Sequence, residues 1–249
     1  MSGEPVLLVA EVDSVPYRSV GRLAEVTPRL PDFALIGGIA VMVRLGQAHR
    51  ATNDVDTVSD DQPGLLDVLV TEGFERIGDS VMLDSDLKVD VIDVSEGDAD
   101  YLPYLTHRLA FDTRTPIELV VRPHQGPSIS AYVDVARPAA LVAVKLGISE
   151  GVGRQRDPRK VGSDAFDVVR LMQRLGPDAL ADELRSVADP DFVARIAELA
   201  HRHLVVQVDR TVAAITRSSV QGVVRIDAAQ LELLGESFVR RLATQRNGR

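Results

Sequence analysis

Asp54 and Asp56 stand two apart in the stretch "RATNDVDTVSD" (50–60), with β-branched neighbours around them. On a strand, alternate side chains share one face, so these two carboxylates point the same way. Like charges that close repel unless something cationic lies between them. A third acid sits on a second strand-like run, "LKVDVIDV" (87–94), where Asp90 lies among valines and Asp93 follows three residues on. An Asp inside a Val/Ile run faces water or a cation, because burying it unpaired is expensive. Three convergent carboxylates suit a hard divalent ion with oxygen ligands, Mg²⁺ or Mn²⁺, shared with substrate phosphates. Two such ions can serve an attacking and a leaving oxygen. The plainer alternative is a solvated strand face.

About 16 residues before the Asp pair, "DFALIGGIAVMVRLG" (32–46) reads as a short strand running through Gly37 and Gly38 into a helix that stops at Gly46. A helix N-terminus entered through glycines presents backbone N–H groups to a phosphate. The alternative is a tight turn with no ligand. The order strand, Gly-Gly, helix, strand with D-x-D, strand with an Asp between apolar residues is more specific than any of its parts.

The elements that must position these residues follow from periodicity. Residues 15–29 read as a helix and 64–73 as another closed by Gly73. The runs "FERIG", "SVMLDS" and "LKVDVIDV" read as a three-stranded meander, with "IELVVR" (117–122) and "SISAYVDV" (128–135) as two more strands. From Pro138 the character changes. "PAALVAVKLGISEG" reads as a helix with Pro in its first turn. "VGRQRDPRKVG" (152–162) reads as a charged loop, and "SDAFDVVRLMQRLG" as a helix N-capped by Ser163. Helical patterns follow at 177–187, 190 to about 217, and about 226 to 245. The expected division is 1–137, a mixed α/β domain, and 138–249, an α-helical domain.

The segment "LIGGIAVMVRLGQAHRATNDVD" followed by "KVDVIDV" resembles the polymerase β-like nucleotidyltransferases, whose pattern is a glycine pair or Gly-Ser, an acid-x-acid strand and a later strand with one acid. The run G-G-x-A…R-x-T-x-D-x-D, then a Lys-bearing helix, looks more closely like the AbiEii-type nucleotidyltransferase toxins and the related MenT-type tRNA-modifying toxins. The likeness covers roughly residues 30–175 and is strongest over 35–58. It implies an α+β chain: a polymerase β-like nucleotidyltransferase fold, a mixed sheet with flanking helices, followed by a C-terminal helical bundle.

The resemblance also implies roles, position by position. Asp54, Asp56 and Asp90 match the metal carboxylates. Gly37 and Gly38 match the phosphate cradle, and Arg50 and Thr52 match the R-x-T of the nucleotide site. Lys145 in "LVAVKLGI" matches the family's Lys helix and would meet the triphosphate. Asp164 and Asp167 in "SDAFDVV" match its K-D-x-x-D helix, except that Ser163 stands where Lys is usual and Gly-Gly replaces the Gly-Ser of many relatives. Read from the residues alone, the alternative for Lys145 is a snorkelling Lys at the edge of an apolar face. Asp164 and Asp167 share a helix face, and Asp164 in a first turn would also suit the helix dipole.

Arg154, Arg156, Arg159 and Lys160 crowd one predicted loop and suit nucleic-acid phosphates, with a solvated loop as the alternative. The histidines (49, 107, 124, 201, 203) show no metal-site spacing.

Composition narrows the classes. The chain has 249 residues, a formal net charge of −9, no Cys and no Trp. Disulfides, thiolate metal sites and a Cys nucleophile are therefore out of reach within it. A net acidic chain is not one whose whole surface binds nucleic acid. The N-terminal residues do not read as a signal peptide, and no run of about 18 apolar residues suggests a membrane helix; the expected location is the cytoplasm. The expected activity is Mg²⁺-dependent transfer of an NMP from an NTP to an acceptor hydroxyl. The resemblance implies a tRNA 3′ end as acceptor, with the chain as toxin to a cognate antitoxin protein. The alternatives are an antibiotic or protein hydroxyl as acceptor, or a non-catalytic binding module.

Overall fold

The computed structural model of the chain describes residues 6–9, 15–47, 52, 54–83, 87–98, 100–122, 127–148, 158–218 and 226–244. The chain divides into two compact units, 1–137 and 138–249. A mixed sheet with flanking helices, then a set of helices, is the α+β class expected.

The first unit is built on one eight-stranded sheet. Its strands are β1 (Val6–Val9), β2 (Ala34–Ile36), β3 (Asp54–Ser59), β4 (Glu75–Ile77), β5 (Ser80–Leu83), β6 (Leu87–Asp93), β7 (Thr115–Arg122) and β8 (Ile129–Val135), in spatial order β1-β7-β8-β2-β3-β6-β5-β4. The expected meander is there: β4–β5 and β5–β6 pair antiparallel. β3 runs antiparallel to β2 and parallel to β6, which sets Ile36 opposite Asp56 and Asp56 opposite Asp90.

The unit's helices are α1 (Val15–Val26), α2 (Gly37–Leu45), α3 (Gln62–Thr71) and α4 (Leu102–Asp112), and a 3₁₀ turn, Thr27–Arg29, prolongs α1. α2 is almost wholly buried, in keeping with its apolar sequence. It ends where expected: Gly46 adopts φ 69° and its N–H closes on the Met42 and Val43 carbonyls. Arg44 of α2 pins the end of β8, donating to the carbonyls of Val135 and Ala136. α3 is N-capped by Asp61, whose carboxylate accepts from the Gly64 N–H.

The second unit consists of α5 (Pro138–Gly147), α6 (Pro158–Leu175), α7 (Pro177–Val187), α8 (Pro190–Ala200), a π-helical segment His201–Val206, α9 (Val208–Arg217) and α10 (Ala228–Ala243). Residues 139–147 of α5 are all buried, and the helix packs against α6, α7 and α8. Gly162 lets α6 lie tightly on α9, since a Cβ there would meet the Ala214 carbonyl. α10 is N-capped by Asp227 and tied to α7 by a two-pronged Arg241–Asp182 pair at 2.8 and 2.6 Å.

Three expectations need correction. α6 begins at Pro158, so Arg159 and Lys160 sit in its first turn and not in a loop. Pro at a helix start is pre-set for helical φ and has no N–H to lose there. Ser163 is therefore not an N-cap; it lies inside the helix and donates back to the Lys160 carbonyl at 2.9 Å. Asp164 falls in the second turn, beyond the main reach of the helix dipole. The helix expected over 190 to about 217 is also not continuous, because the π segment divides it into α8 and α9.

Candidate functional site

On β3, Val55 and Thr57 are buried on one face, and Asp54 and Asp56 emerge half-buried on the other. β6 repeats this, with Val89 and Val91 buried and Asp90 half-buried. The parallel register puts Asp90 beside Asp56. One carboxylate oxygen from each of Asp54, Asp56 and Asp90 lies within 4.8 Å of the other two. The expected trio is thus assembled by two adjacent strands. All-oxygen anionic donors at this spacing fit a divalent cation such as Mg²⁺.

Neighbouring groups hold the carboxylates in place. The Thr52 hydroxyl, buried, donates to Asp54 Oδ1 at 3.0 Å. The Thr57 hydroxyl donates to the backbone carbonyl of Asp90 at 2.9 Å, cross-linking the two strands. Asp90 Oδ1 accepts from Ser80 Oγ at 2.5 Å and pairs with Lys88 Nζ at 2.6 Å. Sequence reasoning missed Ser80 and Lys88. Lys88 was within reach, since K-x-D on a strand shares a face by the same rule as D-x-D. Ser80 needed the β5–β6 register, which sets it opposite Asp90.

Gly37 is fixed by two independent constraints. Its φ is 70°, and a Cβ would run into the Asp56 carboxylate. The backbone thus passes directly over the acid cluster as it enters α2. Gly38 follows, buried, in the first turn. Ile36, the N-cap residue, supplies no side-chain cap, so the first N–H groups of α2 have no capping side chain there. A glycine-entered helix terminus beside a carboxylate cluster can place a phosphate next to a divalent ion. Arg50 lies outside the described residues.

The second unit brings Lys145, Asp164 and Asp167 together. Lys145 Nζ lies 2.7 Å from Asp164 Oδ1 and 3.1 Å from Asp167 Oδ2. The three side chains are 4%, 4% and 0% exposed, so Lys145 does not snorkel to water. Arg159 and Lys160 are exposed, while Arg154 and Arg156 lie outside the described residues. No described helix is long and apolar enough to cross a membrane.

No family model matches the chain, and no curated protein matches it. Among solved structures it is similar to the antibiotic-resistance factor ANT(2'')-Ia, with 17% identity over 75% of this chain and 96% of that one, at a TM-score of 0.44. It is also similar to an antigenic nucleotidyltransferase-like protein from Paracoccidioides brasiliensis, with 19% identity over 75% and 94% of the two chains and a TM-score of 0.40.

Proposed function

We propose that the protein is a divalent-metal-dependent nucleotidyltransferase that moves an NMP from an NTP to an acceptor hydroxyl. The observation that carries the reading is the Asp54–Asp56–Asp90 cluster lying against the glycine entry to α2. Asp54, Asp56 and Asp90 would hold Mg²⁺, which when bound supplies positive charge to the reacting phosphate and acidifies a nearby hydroxyl. The chain's own residues do the rest. The N–H groups at the start of α2 orient the phosphates, and Gly37 keeps their approach clear. Thr52 and Ser80 fix the orientations of Asp54 and Asp90 before substrate arrives, the kind of positioning on which phosphoryl chemistry depends. In the transfer, the acceptor oxygen bonds to the α-phosphorus and the α–β anhydride bond breaks. Pyrophosphate leaves and the hydroxyl proton passes to solvent.

Lys145, Asp164 and Asp167 enter the proposal as residues on which activity depends. What favours this is their burial: an ion cluster this deep is weak evidence for stability, so a functional reason for keeping it gains weight. For the acceptor we propose the 3′ end of tRNA, with the protein as a toxin restrained by an antitoxin protein. The R-x-T-x-D-x-D resemblance supports this. So do Arg159 and Lys160, exposed cations in a helix's first turn, where the dipole disfavours positive charge.

The test is incubation with each α-labelled NTP, Mg²⁺ and total tRNA, alongside Asp56→Ala. Labelled tRNA from the wild type, with a loss of about 10³-fold in the variant, is expected. Label on a protein or an antibiotic instead would move the acceptor. No pyrophosphate release from folded, Mg²⁺-supplied protein with any acceptor would end the transferase reading.

A further inference from the structure

Four neighbouring strands carry the candidate site across the sheet in a single row. Register sets Ile36 opposite Asp56, Asp56 opposite Asp90, and Asp90 opposite Ser80. Adjacent strands lie about 4.8 Å apart, so each member of the row is next to the one before it. From β2 to β5 the row reads: glycine entry to α2, acid, acid, hydroxyl. An in-line displacement puts the attacking and leaving oxygens on opposite sides of the phosphorus. With the leaving phosphates at the glycine end, the attacking hydroxyl belongs at the Asp90 end. Ser80 already stands there.

The Ser80 hydroxyl has the partner that a nucleophile needs. Its Oγ donates to Asp90 Oδ1 at 2.5 Å, the short end of the range for a hydroxyl on a carboxylate. Most serine hydroxyls bond to backbone or water. This one aims its proton at an acid of the site, and a hydroxyl within hydrogen-bond reach of a base is the arrangement that activates it for attack. The pair is open to substrate. Ser80 is half-buried and directly follows the exposed two-residue turn Gly78–Asp79, where Gly78 takes φ 64°. The Asp90 side chain is 26% exposed.

We propose that Ser80 is itself an acceptor: with an NTP bound and no external hydroxyl in place, the protein transfers one NMP to its own Ser80 Oγ. This rests on the transferase reading of the site. Oγ bonds to the α-phosphorus, the α–β anhydride bond breaks, and pyrophosphate leaves with that bond's electron pair. The proton aimed at Asp90 Oδ1 passes by way of that carboxylate to solvent. The product is a serine phosphodiester standing in the acceptor's place, so self-transfer stops at one NMP and shuts the site.

The test is incubation of the full chain with Mg²⁺ and each NTP in turn, without RNA or any other acceptor. Pyrophosphate release, intact mass and fragmentation of the peptide holding residue 80 are read together. A gain of one NMP per chain at Ser80 is expected, with label from α-labelled NTP and none from γ-labelled NTP. Ser80→Ala should lose the modification. Ser80→Thr keeps a hydroxyl on a strand that accepts β-branching and should take the NMP at the same position. Chain modified beforehand should release no further pyrophosphate with any acceptor. NMP found on another residue or on an added acceptor, with Ser80 unmodified throughout, would overturn the proposal and leave the transferase reading standing. No pyrophosphate release with any acceptor would end that reading and the proposal together.

Discussion

Each unit of this protein gathers carboxylates, but the two clusters are built on opposite principles. In the first unit, Asp54, Asp56 and Asp90 converge half-buried, with Lys88 leaning in from a side chain that is 46% exposed. In the second, Asp164 and Asp167 close around Lys145 with almost no access to water. The first cluster concentrates negative charge on half-buried side chains of two interior strands, so its electrostatics improve when a cation arrives from outside. The second carries its cation within the chain. One offers three carboxylate oxygens to an ion from outside, and the other already shares Lys145 between its two acids, with a single oxygen, Asp164 Oδ2, lacking a hydrogen-bond partner among the described residues. Strand geometry suits the first task, because a two-residue period and a parallel register repeat the same face at a fixed spacing. Helix faces suit the second, because the i, i+3 pair Asp164 and Asp167 can grip one side chain from a neighbouring helix.

The contrast breaks most sharply under mutation. Lys145→Ala should remove the ammonium that two buried carboxylates share and cost about 3–5 kcal/mol of stability. Asp56→Ala removes a repelling charge from a half-exposed cluster and should leave the unfolding midpoint in metal-free buffer unchanged or slightly higher. Urea denaturation of both variants measures the difference. Equal destabilisation would mean that the Asp cluster too is a structural network.

Metal provides the next test. Mg²⁺ at 100 times its Kd should stabilise the folded state by about 2.7 kcal/mol. The gain should vanish in Asp56→Ala and persist in Asp164→Asn. Thermal melts with and without chelator report it, and a Mg²⁺ gain that depends on Asp164 would reverse the roles of the two clusters.

The two clusters also differ in how openly the sequence announced them. D-x-D on a β-branched run declares a shared face, and Gly-Gly upstream declares a glycine-entered helix start, and the structure has both; that Gly37 passes directly over Asp56 emerges only from the fold. What holds Asp90 was only half visible: Lys88 follows from strand alternation, but Ser80 depends on a hairpin register that no local pattern fixes. α4 escaped sequence reading because Pro103, Thr106 and His107 interrupt its apolar pattern. Its face is settled by tertiary burial of Leu102, Thr106, His107, Ala110 and Phe111. β1 escaped because four apolar residues, "VLLV", carry no period; pairing with β7 makes them a strand. In the second unit, Lys145 and Asp164 were picked out by resemblance, but their mutual burial was not. A cavity beside them draws on residues 145 to 217, a span over which spacing says nothing about proximity.

Lys88 sharpens the comparison on a smaller scale. Its ammonium occupies Asp90 Oδ1 in a partly solvated pair, where such contacts are worth about 1 kcal/mol or less. A cation so placed competes with the ion the cluster would hold. Lys88→Met should therefore tighten Mg²⁺ binding by up to about fivefold, read by calorimetric titration. Weakened binding would mean that Lys88 matters more as a positioning residue for Asp90 than as a rival of the metal.

The weakest effect belongs to a pair that resembles neither cluster. Arg29 grips Glu72 on the surface of the first unit with Nε–Oε1 and Nη2–Oε2 contacts of 2.5 and 2.8 Å. The hydrogen bond from Arg29 holds the Glu72 carboxyl below its ordinary pKa; burial opposes it, and the charges of Arg29 and Arg22 add to the lowering. Because the folded value is the lower one, the pair's stabilisation is fully present above the unfolded pKa of Glu72. It is lost as pH falls through the folded value. Water screens the pair throughout, so the contribution is small. Glu72→Gln should lower the unfolding midpoint only slightly at pH 7 and by progressively less as acid takes the pH down through the folded value, measured by urea denaturation at a series of pH values. Lys145→Ala should be costly at pH 7 by the same measurement. If the two substitutions proved equal there, burial would not be what separates an ion cluster that the fold depends on from one that it merely displays.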